Sequence, residues 1–111
     1  MSTRLPGAKY RHVFDRGRSI KGRLVVAWLV QDAFADQQAG VVVSKKTFHD
    51  AVERNRAKRL MREAYRLLVK SGEAPRAASW IFIARHSIGG KRCADVMEDM
   101  RKVFVVCNEQ N

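Results

Sequence analysis

Residues 51–70, AVERNRAKRLMREAYRLLVK, constrain the fold more than any other segment. Ala57, Leu60, Met61, Ala64 and Leu68 recur at i, i+3, i+4, i+7 and i+11, one stripe of an α-helix. On a wheel of about 100° per residue, Asn55, Lys58, Arg59, Arg62 and Arg66 cluster on the opposite side, and Arg54 and Arg56 flank them. Ser71-Gly72 ends the helix and Pro75 lies in the loop beyond. Such a helix must bury its stripe against another layer. Its cations then face water or an anion.

An ordinary solvated face mixes both signs for i,i+4 support, yet Glu63 is the only acid beyond Glu53. The planar fork of arginine suits bidentate contact with phosphate, and Asn55 can reach backbone or base edges. The face therefore reads as a contact for RNA or DNA phosphates.

The remaining segments supply the other layer. Residues 8–16 read as a short helix with Tyr10, Val13 and Phe14 on one face, and Gly17 as its stop. Residues 23–31 and Gly40 to Lys45 read as strands around a polar loop at Asp32 to Gln38, which predicts a hairpin. Arg18 to Lys21 could add a short edge strand. Trp80 to Ala84 is a strand of buried type. Lys91 to about Cys107 is a last helix with Cys93, Val96, Met97, Met100, Phe104 and Cys107 as its stripe. The order α-β-β-α-β-α, or α-β-β-β-α-β-α with the edge strand, predicts one α+β domain over 1–111, a mixed sheet packed by helices in an α/β sandwich.

The formal net charge of +11 comes from two blocks, residues 1–23 and 41–70, each with a net +6. Concentrated like charge repels itself, and an anionic partner relieves that repulsion. Nucleic acid fits best, because each neutralised phosphate releases a counterion. The longest apolar run, Leu24 to Val30, is too short to span a membrane, and no basic segment has a broad exposed apolar face. No secretory signal is read at the N-terminus, so the expectation is a cytoplasmic protein.

Cys93 and Cys107, both on the last stripe, would stand about 21 Å apart along a helix and so cannot pair with each other. With His12, His49 and His86 they match no zinc spacing, so no metal site is expected. His12 and His49 beside Lys45 could supply the acid and base of an autonomous ribonuclease, but nothing in the spacing brings them together. No phosphate-binding loop, nucleophile elbow or paired carboxylates occur.

Arg54-Asn55-Arg56, followed by Lys58-Arg59 and Arg62-Glu63, resembles the signature helix of the bacterial ribonuclease P protein subunit. Tyr10-x-x-Val13-Phe14-x-x-Gly17 resembles that family's first helix, Val42-Val43-Ser44-Lys45-Lys46 its strand before the signature helix, and Ile81-Phe82-Ile83-Ala84-Arg85 its final strand. The matches run in family order from about residue 4 to residue 105.

The resemblance implies a protein subunit of an endoribonuclease that removes the 5′ leader of precursor tRNA. The RNA subunit would carry the chemistry with Mg2+; the protein would bind no cofactor and contribute no catalytic residue. It implies a fold of the kind seen in the second domain of a small-subunit ribosomal protein. That fold has a left-handed β-α-β crossover, against the right-handed rule seen in about 98% of cases. The implied partners are the ribonuclease P RNA and precursor tRNA, with no DNA and no membrane. Arg54, Asn55, Arg56, Lys58, Arg59 and Arg62 would dock onto the RNA subunit. Tyr10, Phe14, Trp28, Ser44, Lys45 and Arg85 would line a cleft for the single-stranded leader, where aromatic platforms and cations bind without strong sequence preference. By spacing alone, Tyr10, Phe14 and Trp28 fit a core as well as a base platform.

The chain departs from the family pattern in three places. Thr47-Phe48-His49-Asp50 stands where many members have a Gly-Asn pair, Tyr10 stands where Phe is usual, and the segment before Arg4 is short. A ribosomal or other RNA-binding structural protein would also explain the charge, but not the order of the motifs. A helix-turn-helix DNA reader is disfavoured, because a strand follows the basic helix and no helix and short turn precede it.

Overall fold

A computed structural model describes residues 3–31 and 35–109. A 3₁₀ turn at Gly7–Lys9 leads into α1 (Tyr10–Arg16), followed by β1 (Arg18–Lys21), β2 (Val25–Gln31), β3 (Gln38–Val42), α2 (Ala51–Lys70), β4 (Ala78–Ala84) and α3 (Cys93–Glu109). A second 3₁₀ turn at His86–Ile88 precedes α3. The fold is a single-domain α+β arrangement in the expected order, edge strand included. Of the loop expected at Asp32 to Gln38, positions 32–34 lie outside the described residues.

The strand order is β1-β2-β4-β3. β2 pairs antiparallel with β1 and β4, whereas β3 pairs parallel with β4. The hairpin expected between residues 23–31 and 40–45 therefore does not form. β4 lies between those strands, and α2 is the crossover that joins β3 to its parallel partner. Alternation within a segment marks a strand but does not name its neighbour. The hairpin that does form is β1–β2, where the Gly22 N–H donates to the Val25 carbonyl at 2.8 Å.

One face of the sheet carries Val25, Ala27 and Leu29 of β2, Ala39 and Val41 of β3, and Ala78, Trp80, Phe82 and Ala84 of β4. These pack against α2 and α3 in the main core. The expected stripe of α2 is buried at Ala57, Met61, Ala64 and Leu68 and half-buried at Leu60, with Tyr65 buried beside it. In α3, Val96, Met100, Phe104 and Cys107 are buried, and Cys93 and Met97 half-buried. Both cysteines are free thiols. Trp80 anchors the core, stacked on Phe82 at 5.5 Å between centroids and tilted against Phe104 at 5.1 Å.

Among the described residues, the opposite face is covered mainly by the short α1 and the N-terminal segment. Leu5, Val13 and Ile81 form a small buried cluster there, with Tyr10, Trp28, Val30, Val42 and Ile83 half-buried around it. Residues 3–5 run along the edge of β3, with the Leu5 N–H on the Ala39 carbonyl at 2.9 Å and the Ala39 N–H on the Thr3 carbonyl at 2.8 Å. Gly17 does end α1, but with φ of −86° it is extended rather than left-handed. Its need for glycine is steric: the Val13 and Leu29 carbonyl oxygens occupy the space of a Cβ.

Candidate nucleic-acid interface

Because α1 is short, it walls off the sheet face without closing it. Cross-strand partners point to the same side, so Trp28, Ile81 and Gly40 make one row across the sheet, and Val26, Ile83 and Val42 make the next. Tyr10 and Phe14 stand over the first row. The Phe14 ring meets Trp28 edge-on, 5.5 Å between centroids and 69° between planes. Phe14 is 37% exposed, so it is not a core residue, whereas Tyr10 and Trp28 are half-buried. The Tyr10 ring lies where a side chain at residue 40 would begin, since a Cβ on Gly40 would collide with its Cζ and hydroxyl oxygen. Glycine here lets an aromatic ring lie down on the sheet.

The second row is the open floor: Val26, Val42 and Ile83 are all half-buried. Beyond it, Ser44 and Arg85 continue the same alternation, and Lys45 follows Ser44; all three are exposed. The Ser44 hydroxyl lies 2.9 Å from that of Thr47, and Arg85 donates through Nη1 to the Gly22 carbonyl at 2.9 Å. Of the six residues assigned to the cleft by resemblance, Tyr10, Phe14 and Trp28 meet over one apolar trough. Ser44 and Lys45 follow the end of its β3 row, and Arg85 at the end of β4 also lines a furrow with Gly22, Asp99 and Lys102 beside α3. The floor valines, Ile83 and Lys21 were not assigned to the cleft from sequence, although Val42 and Ile83 fall within the matched motifs. Their signal was the alternation they share with Trp28: Lys21 pairs with Val26 and is exposed at the β1 side.

The α2 residues divide by what they already hold. Asn55, Arg59 and Arg62 are exposed and Lys58 half-exposed, and with Arg4 they line one groove between α2 and the N-terminal segment. Among the described residues Lys58, Arg59 and Arg62 make no ion pair, so the positive potential of this face is unscreened from within. Arg54 and Arg56 point elsewhere. Arg54 donates through Nη1 to the carbonyls of Phe48 and His49 at 2.9 and 2.7 Å, and Arg56 donates to the Lys91 carbonyl at 2.9 Å. Arg66 pairs with Glu63; this bond holds the Glu63 carboxyl below its ordinary range and the Arg66 guanidinium above its own.

The stretch that departs from the family pattern starts α2 by other means. The Asp50 carboxylate accepts the Val52 N–H at 2.8 Å, an N-cap, and the Ser44 carbonyl accepts the Thr47 and Phe48 N–H groups, both at 3.2 Å. Phe48 packs against the main core and stacks on His86. The histidine pair weighed as an acid and base does not share a site. His12 lines a furrow with Val30 and Ser79, at the start of β4, whereas His49 sits beyond the far ends of β3 and β4, just before α2. Among the described residues no three His, Cys, Asp or Glu side chains converge, and no helix is long and apolar enough to cross a membrane.

Comparison with known proteins decides the family. The model of the family described as Ribonuclease P matches residues 5–108. The chain belongs to the ribonuclease P protein family. It is 32% identical to the ribonuclease P protein component of Clostridium acetobutylicum, over 94% of this chain and 91% of that one. With its counterpart in Clostridium botulinum (strain Loch Maree) the identity is 38%, over 79% and 78% of the two chains. Among solved structures, the RNase P protein of Staphylococcus aureus superposes with a TM-score of 0.75 at 25% identity over 96% of each chain. That of Thermotoga maritima superposes at 0.76 with 22% identity, over 93% of this chain and 96% of the other, and shows the shared fold. The resemblance read from the four motifs is borne out. Membership places the chain among components of ribonuclease P, a tRNA-processing ribonucleoprotein and endoribonuclease, which the reading as a ribosomal protein does not accommodate.

Proposed function

We propose that this chain binds the ribonuclease P RNA through the Asn55, Lys58, Arg59 and Arg62 face of α2 and holds the single-stranded 5′ leader of precursor tRNA in the cleft under α1. The observation that carries the reading is the separation of two differently built surfaces. One is a bare cationic helix face; the other is an aromatic and apolar trough with a cationic lip. A folded RNA presents a dense phosphate surface, which calls for cations and counterion release. An unpaired strand offers base faces, which calls for rings and an apolar floor. Each surface suits one of the two.

In this reading the protein acts by differential binding. The leader exists only in the precursor, so contacts in the cleft favour substrate over product. The α2 cations neutralise phosphates in the RNA subunit and lower the Mg2+ concentration at which it folds and works. Arg54 and Arg56 serve the same surface indirectly, by fixing the start of α2 and its neighbouring loop. Hydrolysis is assigned to the RNA and its Mg2+ ions. On the protein side, no three His, Cys, Asp or Glu side chains converge among the described residues, and His12 and His49 lie apart.

The test is cleavage of precursor tRNA by the protein alone, by a bacterial ribonuclease P RNA alone, and by both, at Mg2+ too low for the RNA alone. Cleavage only in the mixture is the expected result. Cleavage by the purified protein alone would overturn the division of labour.

A further inference from the structure

Where the chain departs from its family, Phe48 and His86 stack with centroids 5.5 Å apart and planes at 18°. Phe48 is half-buried against the core, while His86 is exposed, so the face of the imidazole turned away from Phe48 is open. Both rings follow lip residues in the chain, His86 directly after Arg85 and Phe48 directly after the Ser44–Thr47 turn, and Phe48 packs toward the α2–α3 side of the sheet. We propose that the Phe48–His86 pair is a stacking platform for a nucleobase of the 5′ leader where that strand leaves the cleft. The proposal rests on the reading of the cleft as the leader site.

The platform is rigid before any ligand arrives. The Phe48 N–H is held by the Ser44 carbonyl and its own carbonyl by Arg54. On the other side, Ile88 is buried, the Ile88 N–H donates to the Arg85 carbonyl at 3.0 Å, and the Ser87 hydroxyl donates to the Arg23 carbonyl at 2.7 Å. Rings fixed in advance bind a base without the cost of ordering them. A stack that served only to join two loops would have no need of an exposed outer ring. Lys45 and Lys46, both exposed and without an ion pair among the described residues, stand in the same turn and supply the charge a passing phosphate needs.

The experiment uses the reconstituted complex of protein and ribonuclease P RNA, and measures affinity for precursor tRNA and for mature tRNA. His86→Phe keeps a π face; His86→Leu and His86→Gln remove it at an exposed position. The expected result is that His86→Phe retains the preference for precursor, while His86→Leu and His86→Gln lose about ten-fold of it with mature tRNA binding unchanged. A precursor preference in both variants equal to that of the unsubstituted protein would overturn the platform and leave the cleft reading standing. Equal loss for precursor and mature tRNA would overturn it too. If the unsubstituted complex shows no preference for a leader, the cleft reading itself fails.

Discussion

The carboxylate of Asp99, on the inner side of α3, accepts the Leu24 backbone N–H through Oδ2 at 2.9 Å. The same oxygen takes the Val25 N–H at 3.2 Å, and Oδ1 takes the Arg23 N–H at 2.9 Å. Three successive donors of the β1–β2 turn thus end on one side chain that is only 5% exposed. A buried carboxylate is tolerated when it is hydrogen-bonded in this way, and its removal leaves donors without partners. Asp99→Ala is expected to cost about 2–4 kcal/mol of stability, read as a lower urea midpoint with an unchanged slope. An unchanged midpoint would show that water replaces the carboxylate freely.

Phe14 meets Trp28 edge-on while remaining 37% exposed, which separates its packing role from a binding role. Phe14→Ala is expected to cost about 1 kcal/mol or less of stability but to weaken precursor tRNA binding roughly ten-fold relative to mature tRNA. Calorimetry of the variant beside the two binding constants checks this. A large drop in melting temperature with equal loss for both RNAs would make Phe14 a core residue after all.

Much of this arrangement was legible in the chain, for reasons that differ by element. The span of α2 was readable because its stripe and its Ser71-Gly72 stop act locally. The sequence-read hairpin failed because the parallel pairing of β3 with β4 is a long-range choice made by the crossover through α2. The resemblance gave Arg54 and Arg59 the same RNA-docking role, yet only the packed structure shows that Arg54 is spent on two carbonyls. The β2 part of the cleft floor, Val26, was hidden in the run Leu24 to Val30, because a strand with apolar residues on both faces shows little alternation. Asp99 left a trace, an acid between Val96 and Val103 on the buried side of α3, where an unpaired carboxylate would not be stable.

The two cysteines give a pH-dependent readout of α3. Burial pushes both thiols above their ordinary value, so the thiolate is scarcer at neutral pH than in an unfolded chain. Cys93 is half-buried, while Cys107 is fully buried and donates to the Gln31 side-chain carbonyl at 3.4 Å. Alkylation of the native protein is expected to be slow for both at pH 7, with Cys93 labelled first and its rate still rising above pH 9. Cys107 should react only at the rate of unfolding. Mass spectrometry of the labelled protein decides it; rapid labelling of Cys107 in the folded state would mean that α3 opens locally.

The α2 cations separate into two classes that one pair of measurements can tell apart. Arg59 and Arg62 are exposed and make no ion pair among the described residues, so truncating either leaves the fold alone. If each contacts a phosphate of the RNA subunit, Arg59→Ala and Arg62→Ala lower the salt dependence of binding by about one ion apiece, with melting temperature unchanged. Arg54 instead closes two carbonyls at the start of α2. Arg54→Ala should therefore cost about 1 kcal/mol of stability, the net worth of charge-assisted bonds near the surface, and leave the salt slope nearly as it was. A full one-ion drop for Arg54→Ala with no loss of stability would show that its guanidinium abandons the loop for RNA. An unchanged slope for Arg59→Ala would remove that residue from the phosphate contact.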